Sequence, residues 1–242
     1  MGWLLLVSPP TGAKEVVQPQ KTAYFGITNE TTLPYIEIKH SDTKPEITKG
    51  ILKDLAEALS KELKVKPVLV LLPQQRVAQD LVAGDLSLVC YLHESWLPNS
   101  SKIIEWSEPI ATNTNLIVNL GKTRPKKVAD LYGKQIGAIV NYSYKELDPY
   151  FEKNLIRREN APNNESNIKK LLHGRIDYMI LSNLEFEFHK KAHPKIVAYD
   201  LHLDSVQVKC ALSQKSGIAL RDLNKAIEIL RSNGTLDKIF RP

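Results

Sequence analysis

The sequence predicts an α/β protein with two α/β lobes joined by two extended segments. Strands and helices alternate through the first half, and the same alternation begins again after residue 120. Long extended stretches at 103–120 and 206–212 separate the two series. Such alternation favours parallel strands with crossover helices. We expect lobe one to comprise residues 21–111 plus 212–242, and lobe two residues 112–211.

Each element of the first half follows from its residue pattern. Residues 21–29 (KTAYFGITN) end in turn formers and are typical of a strand. Apolar residues recur at helical spacing in 50–63, and Gly84 ends a similar pattern. The polar stretch 37–48 predicts a small hairpin or a mobile loop. The predicted elements are strand 21–29, helix 50–63, strand 65–72, helix 74–83 and strand 86–92.

The second half repeats this alternation on a smaller scale, because apolar runs and helical spacings again take turns. Extended residues 206–212 then lead to an amphipathic C-terminal helix. The predicted elements are a short helix at 128–131, strand 135–140, helix 144–151, helix 167–172, strand 176–181, helix 184–191, helix 220–231 and a short helix at 236–240.

Composition excludes several classes of protein. The 242 residues carry 33 basic and 27 acidic side chains, a net charge of +6, and are 43% hydrophobic. These values are typical of a globular chain and exclude disorder. The basic residues form no stripe interleaved with aromatics, so we expect no nucleic-acid partner. No pattern indicates a cofactor, and two cysteines cannot supply a four-ligand zinc site.

Cys90 and Cys210 both lie in predicted strands. We favour two buried thiols, but a disulfide stays open as the alternative in an oxidising compartment. Residues 1–20 pose a second choice. A short apolar run followed by small residues resembles the end of a signal peptide, whose true start the sequence does not fix, although a frayed tail or a strand is the alternative. We favour the signal peptide, and with it a secreted, periplasmic protein.

Two lobes with two connections leave a cleft, which is a natural place for a ligand. In α/β sheets ligands lie outside the carboxyl ends of the strands. Arg76 there could hold an anion, and Trp96 could stack on a planar ligand. The other candidates are polar or aromatic side chains in the corresponding loops. The predicted ligand-binding residues are Asn29, Tyr35, Gln74, Arg76, Ser95, Trp96, Asn141, Tyr142, Ser143, Ser182 and Asn183.

Seven passages in order resemble the bacterial extracellular solute-binding proteins of family 3, over about residues 22–240. They include the proline–aromatic loop Leu33–Pro34–Tyr35 and the sequence EWSEP at 105–109. The others are 50–63 (from Gly50 through the helix), LVAGDLSL at 81–88, VADLYGKQIG at 128–137, LLHGRIDY at 171–178 and ILRSNGTLDKI at 229–239. The resemblance implies the type II periplasmic-binding-protein fold, no catalysis, a small-molecule ligand, and a membrane permease or sensor as partner. It also implies a monomer.

The resemblance further implies charged anchors for an amino-acid ligand, an Arg for its carboxylate and an Asp for its amino group. In this chain the Arg position falls on Ser100 and the Asp position on Ser182. Both charged anchors are therefore missing. We expect a small polar ligand that is not a free α-amino acid held in the usual way.

Two alternatives remain open. An enzyme on the same scaffold, a dehydratase or lyase of small acids, would use His93 and Glu94 for proton transfer. A ligand sensor or accessory module would bind without transport. A metal site at Glu185, His189 and His193 is disfavoured, because Pro194 indicates that the helix has ended by His193.

Overall fold

The computed structural model describes residues 20–28, 31–39, 45–97, 104–140, 142–201, 203 and 205–241. The strands are β1 (Thr22–Thr28), β2 (Glu37–Lys39), β3 (Glu46–Lys49), β4 (Lys66–Leu72), β5 (Leu88–Leu92), β6 (Ile104–Trp106), β7 (Ala111–Asn119), β8 (Gln135–Ile139), β9 (Arg157–Ala161), β10 (Tyr178–Ser182), β11 (Val197–Tyr199) and β12 (Ser205–Ser213). The α-helices are α1 (Ile51–Leu63), α2 (Val77–Ala83), α3 (Asp148–Glu152), α4 (Asn164–Leu172), α5 (Asn183–Ala192), α6 (Leu220–Ser232) and α7 (Thr235–Ile239). Short 3-10 turns lie at 74–76, 94–96 and 128–131.

The main sheet has two halves that meet at β12 and β7. Its order is β4-β1-β5-β12-β7-β10-β8-β9, with β6 added to β12 and β11 to β7. In the first half β1 pairs in parallel with β4 and β5, and β12 returns antiparallel beside β5. In the second half β8 pairs in parallel with β10 and β9, while β7 runs antiparallel to β10. The predicted alternation therefore produces the expected parallel pairs.

Each sheet half has its own hydrophobic core. One cluster packs β1, β5 and β12 against α1 and α6, and includes Phe25, Leu59 and Ile227. A separate cluster fills the second half, around Ile136 and Ile180. The two halves are joined where the first part of β12 pairs with the first part of β7, Ser205–Val208 against Ala111–Thr114.

Helix α3 differs from its prediction. Residues 145–147 form a turn and the helix begins at Asp148, so the expected start at residue 144 is wrong. Asp148 accepts hydrogen bonds from the Ser143 hydroxyl and the Tyr144 amide, which stabilise a loop in place of a helical turn. Pro149 fits the first turn of the shortened helix.

Three other differences arise where the sequence gives no apolar periodic signal. Helix α4 begins at Asn164, not Asn167, because the side chain of Asn163 caps it by accepting from the Ser166 amide. Strand β9 (RRENA) lacks the apolar pattern of a strand and lies at the edge of the sheet. Strand β11 contains three residues, too few to give a periodic signal.

Cys90 and Cys210 form a disulfide. The two residues are register partners on the neighbouring antiparallel strands β5 and β12. The favoured expectation of two buried thiols is therefore wrong, because the return strand places them directly opposite each other.

No helix in the described ranges is long and apolar enough to cross a membrane. The proposed signal peptide falls in residues 1–20, of which 1–19 lie outside the described residues.

Candidate ligand-binding site

The two sheet halves touch through the hydroxyl of Tyr35. This oxygen lies 2.7 Å from the Ser182 hydroxyl, although the two residues are 147 positions apart in sequence. Tyr35 follows β1 in the first half, and Ser182 ends β10 in the second half. Gly50 positions the Tyr35 loop: its φ is +127°, and a Cβ there would collide with the backbone of Tyr35. The predicted residues Tyr35 and Ser182 thus meet across the expected cleft.

Tyr91 extends this contact. The Tyr35 hydroxyl donates to the Tyr91 hydroxyl at 3.2 Å, which in turn donates to the Asn113 side-chain oxygen at 3.1 Å. The Tyr91 ring lies between the rings of Tyr35 and Phe240, at centroid distances of 4.9 and 6.0 Å. Its backbone has a φ of +64°, in the left-handed region that a bulky residue rarely adopts. Tertiary contacts therefore hold Tyr91 in this conformation.

Glu185 completes the cluster from the second half. Ser182 caps α5 and accepts from the Glu185 amide, while one Glu185 oxygen accepts from the Ser182 amide and hydroxyl at 3.0 and 2.8 Å. This reciprocal arrangement is a capping box. The other Glu185 oxygen accepts from the Asn164 amide group at 2.9 Å. Part of Glu185 remains accessible to solvent.

The residues around this contact form a group that we call the tyrosine–glutamate cluster: Tyr35, Tyr91, Asn113, Asn164, Ser182 and Glu185. Burial has the largest effect on the pKa values of its titratable members. Burial raises the pKa of Glu185 above its ordinary value, against the lowering effect of the hydrogen bonds from Asn164 and Ser182. Burial also raises the pKa values of Tyr35 and Tyr91. Both tyrosines therefore stay neutral at physiological pH.

Tyr142 lies on the neighbouring loop after β8. It leaves 48% of its surface exposed, yet protein atoms crowd its hydroxyl. That burial, together with the charge of Glu185, raises the pKa of Tyr142 to about 12. The predicted residues Tyr142 and Ser143 line an open surface depression of about 470 Å³ together with Asp148 and Arg158. The Ser143 hydroxyl donates to Asp148.

Arg158 holds the Tyr142 loop. Its guanidinium donates to the backbone oxygens of Ile139 and Tyr142 at 2.9 and 2.6 Å, and pairs with Asp148 at 3.3 Å. It also lies 5.4 Å from the centre of the Tyr144 ring. This one side chain therefore links β9 to both ends of the loop.

Asn183 contacts the strand that enters the second half. Its side-chain oxygen accepts from the Thr114 amide at 3.2 Å, and its nitrogen donates to the Thr112 oxygen at 3.4 Å. Asn183 thus fixes α5 against β7. Asn29, Asn141 and Ser100 lie outside the described residues.

The remaining candidates have contacts of their own. Arg76 pairs with Asp80 one helical turn away at 3.1 Å and has a side chain that is 58% exposed. Ser95 hydrogen bonds to the His93 ring at 2.8 Å. The half-buried Trp96 packs against the core cluster of the first half and against a second cluster around Leu81 and Leu92. Gln74 is half-buried in the 3-10 turn before α2.

His93 and Glu94 lie in one polar group with Lys209. Partial burial opposes the ionisation of Glu94, but the hydrogen bond from Lys209 at 2.6 Å, a backbone hydrogen bond and the charge of Lys209 together outweigh burial, so the pKa of Glu94 is lowered. His93 lies 3.5 Å from the same carboxyl group. A carboxylate held in its ionised form by a lysine is poorly suited to donate a proton near neutral pH.

In the described part of the chain, no group of three or more His, Cys, Asp or Glu side chains is placed to hold a metal ion. Helix α5 ends at Ala192, so His193 lies beyond it, as Pro194 indicates. His189 is buried, and its Nε2 has no hydrogen-bond partner.

Four members of the cluster escaped the sequence analysis as ligand-site candidates: Tyr91, Asn113, Asn164 and Glu185. The pair Ser182 and Glu185 carries a detectable signal, because Ser-x-x-Glu at a helix start is a capping box. Tyr91 carries none, since it is one residue of an apolar strand and its left-handed backbone cannot be read from sequence. Asn113 and Asn164 become neighbours of the site only through the sheet order.

Comparisons with known proteins agree with this architecture. An ancestral cationic amino acid solute-binding protein superposes with a TM-score of 0.73 at 20% identity, over 90% of this chain and 93% of that one. An ancestral arginine-binding protein bound to glutamine gives 0.69 at 22% identity, over 92% and 97%. The substrate-binding protein AbpA of an amino acid ABC transporter from Streptococcus pneumoniae, bound to L-arginine, gives 0.68 at 22% identity, over 90% and 92%. These likenesses show the two-lobed type II periplasmic-binding-protein fold.

Among curated proteins, a membrane-bound lytic murein transglycosylase F from Saccharophagus degradans is 25% identical over 139 residues. The match covers 54% of this chain and 28% of that protein. The chain thus spans less than a third of the length of this relative. The sequence profile of the bacterial extracellular solute-binding proteins, family 3, matches residues 27–242. The chain belongs to this family, as the order of its seven passages indicated.

Proposed function

We propose that this protein captures a small polar ligand between two lobes, 21–111 plus 212–242 and 112–211, and delivers it to an ABC transporter. The contact between Tyr35 and Ser182 carries the proposal, because it joins side chains from the two sheet halves at the expected cleft. Capture then couples to hinge closure, and the ligand's binding energy offsets the cost of bringing the lobes together.

The binding surface in this proposal is the tyrosine–glutamate cluster, supplemented by the Tyr142 loop. Asn183 orients one wall by fixing α5 against β7. Asn29, Gln74, Arg76, Ser95, Trp96 and Asn141 stay proposed ligand contacts. The protein acts in the periplasm, as a monomer, with a permease or sensor as its membrane partner.

No catalysis is part of the proposal, although one solved neighbour (TM-score 0.70) is described as a precursor of cyclohexadienyl dehydratase. The ion pair of Glu94 with Lys209 favours a binding role over proton transfer from Glu94. Turnover of a small acid that is lost in His93→Ala would favour the enzyme instead.

A thermal-shift screen of amino acids, peptides, sugars, polyamines and organic acids tests the proposal, because a ligand that binds only the folded protein raises its unfolding temperature. We expect a hit that also reduces the radius of gyration in X-ray scattering. Binding that persists unchanged in Ser182→Ala and Tyr35→Phe would place the ligand elsewhere and contradict the proposal.

A further inference from the structure

We propose that the ligand is a small organic cation without a carboxylate, and that Glu185 receives its charge. This inference rests on the proposed function and names the class of solute. Two features of the cluster carry it: an uncompensated carboxylate and neighbouring tyrosines that stay neutral.

The first feature is the lack of a cation beside Glu185. Within the described part of the chain, its carboxylate forms no ion pair and accepts instead from Ser182 and Asn164. The N-terminus of α5 supplies about half a positive charge at most. A crowded carboxylate is costly without a full counter-charge. A ligand cation that reaches the half-buried Glu185 would supply that charge.

The second feature is a set of neutral tyrosines. The titratable groups that the charge of Glu185 affects are Tyr35, Tyr91, Tyr142 and Tyr144, the last two from one loop. Burial keeps all four neutral, so none competes with a ligand for the carboxylate. The ring of Tyr142, which leaves 48% of its surface exposed, can also attract a cation through its face, by about 0.5–2 kcal/mol.

The exclusion of a carboxylate follows from the arginines near the cleft. Arg158 is committed to two backbone oxygens and to Asp148, and Arg76 is paired with Asp80. The cluster itself contains acceptors and hydroxyl groups and would repel a carboxylate through Glu185. An amine is therefore preferred over the amino acid from which it differs only by that carboxylate.

Matched ligand pairs test this directly by titration calorimetry: cadaverine against L-lysine, and agmatine against L-arginine. We expect at least one amine to bind tenfold or more tightly than its amino acid. We expect its affinity to fall as the pH is lowered through the raised pKa of Glu185. Glu185→Gln should weaken the amine at least tenfold, whereas Glu187→Gln, an exposed position on the same helix, should not.

Equal or tighter binding of both amino acids overturns the inference, as does unchanged amine affinity in a folded Glu185→Gln. The comparison within each pair uses the unaltered protein and stays decisive if the variant does not fold. If instead a sugar or organic acid is the only hit in the wider screen, the inference fails while the proposed function stands. If no compound in that screen binds, both fail.

Discussion

Replacing Tyr35 by Phe removes one oxygen and leaves the ring in place. That oxygen makes hydrogen bonds of 2.7 Å to Ser182 and 3.2 Å to Tyr91, and the first of these joins the two sheet halves. A buried hydrogen bond contributes about 1 kcal/mol net, so the loss of both lowers the free energy of unfolding by about 2 kcal/mol. Only the bond to Ser182 joins the two halves, and its loss of about 1 kcal/mol lowers the ratio of closed to open protein about fivefold.

The loss is measured as a rise in the radius of gyration by X-ray scattering and as a lower free energy of unfolding in urea. Tyr24→Phe is the matched control, because Tyr24 is a 43% exposed tyrosine of the same lobe, away from the cleft. The reasoning is refuted if Tyr35→Phe and Tyr24→Phe both match the unaltered protein in the two measurements.

Three further changes address other parts of the molecule. Arg158→Lys should lower the free energy of unfolding by about 2–3 kcal/mol, because lysine cannot reproduce the forked contacts to the Tyr142 loop. The control Arg157→Lys changes an exposed neighbour and should leave that free energy unchanged. Equal urea midpoints for the two variants would contradict the role of Arg158. Burial, and secondarily nearby His193, lowers the pKa of His189 to about 4, so the stability of the unaltered protein should fall as the pH drops from 6.5 towards 4. His189→Leu should flatten that fall in a series of thermal melts, and an equally steep fall would refute the assignment. Reducing the disulfide between Cys90 and Cys210, which are 120 positions apart in sequence, should lower the free energy of unfolding by about 2–4 kcal/mol. If a reductant frees both thiols and the melting temperature does not change, this contribution is excluded.

Helix and strand types were predictable wherever apolar periodicity was strong. Helix α1 and strand β4 follow the expected bounds within a residue or two, because α1 buries a continuous apolar stripe and β4 contains a continuous apolar run. Strand β9 and the start of α4 were not predictable from such patterns. Their stability comes from sheet pairing and a single asparagine cap, neither of which leaves a periodic trace.

The site was predictable in part. Tyr35 and Ser182 were reached by reasoning about strand ends and by the family resemblance, and they do meet. Tyr91 and Glu185 were missed as ligand-site residues, because their positions depend on a left-handed backbone and on the sheet order. Residue type alone could flag the Ser182–Glu185 cap, but not the tyrosines that surround it.

Strand β12 has a mechanical consequence for the molecule. Its later residues are covalently tied to β5 through Cys210, whereas Ser205–Val208 pair with β7 of the other half. The register shifts between Lys209 and Cys210. A rigid-body rotation of one half against the other must therefore pivot within a step or two of Lys209, and the covalent tie keeps the axis of that rotation close to Tyr91.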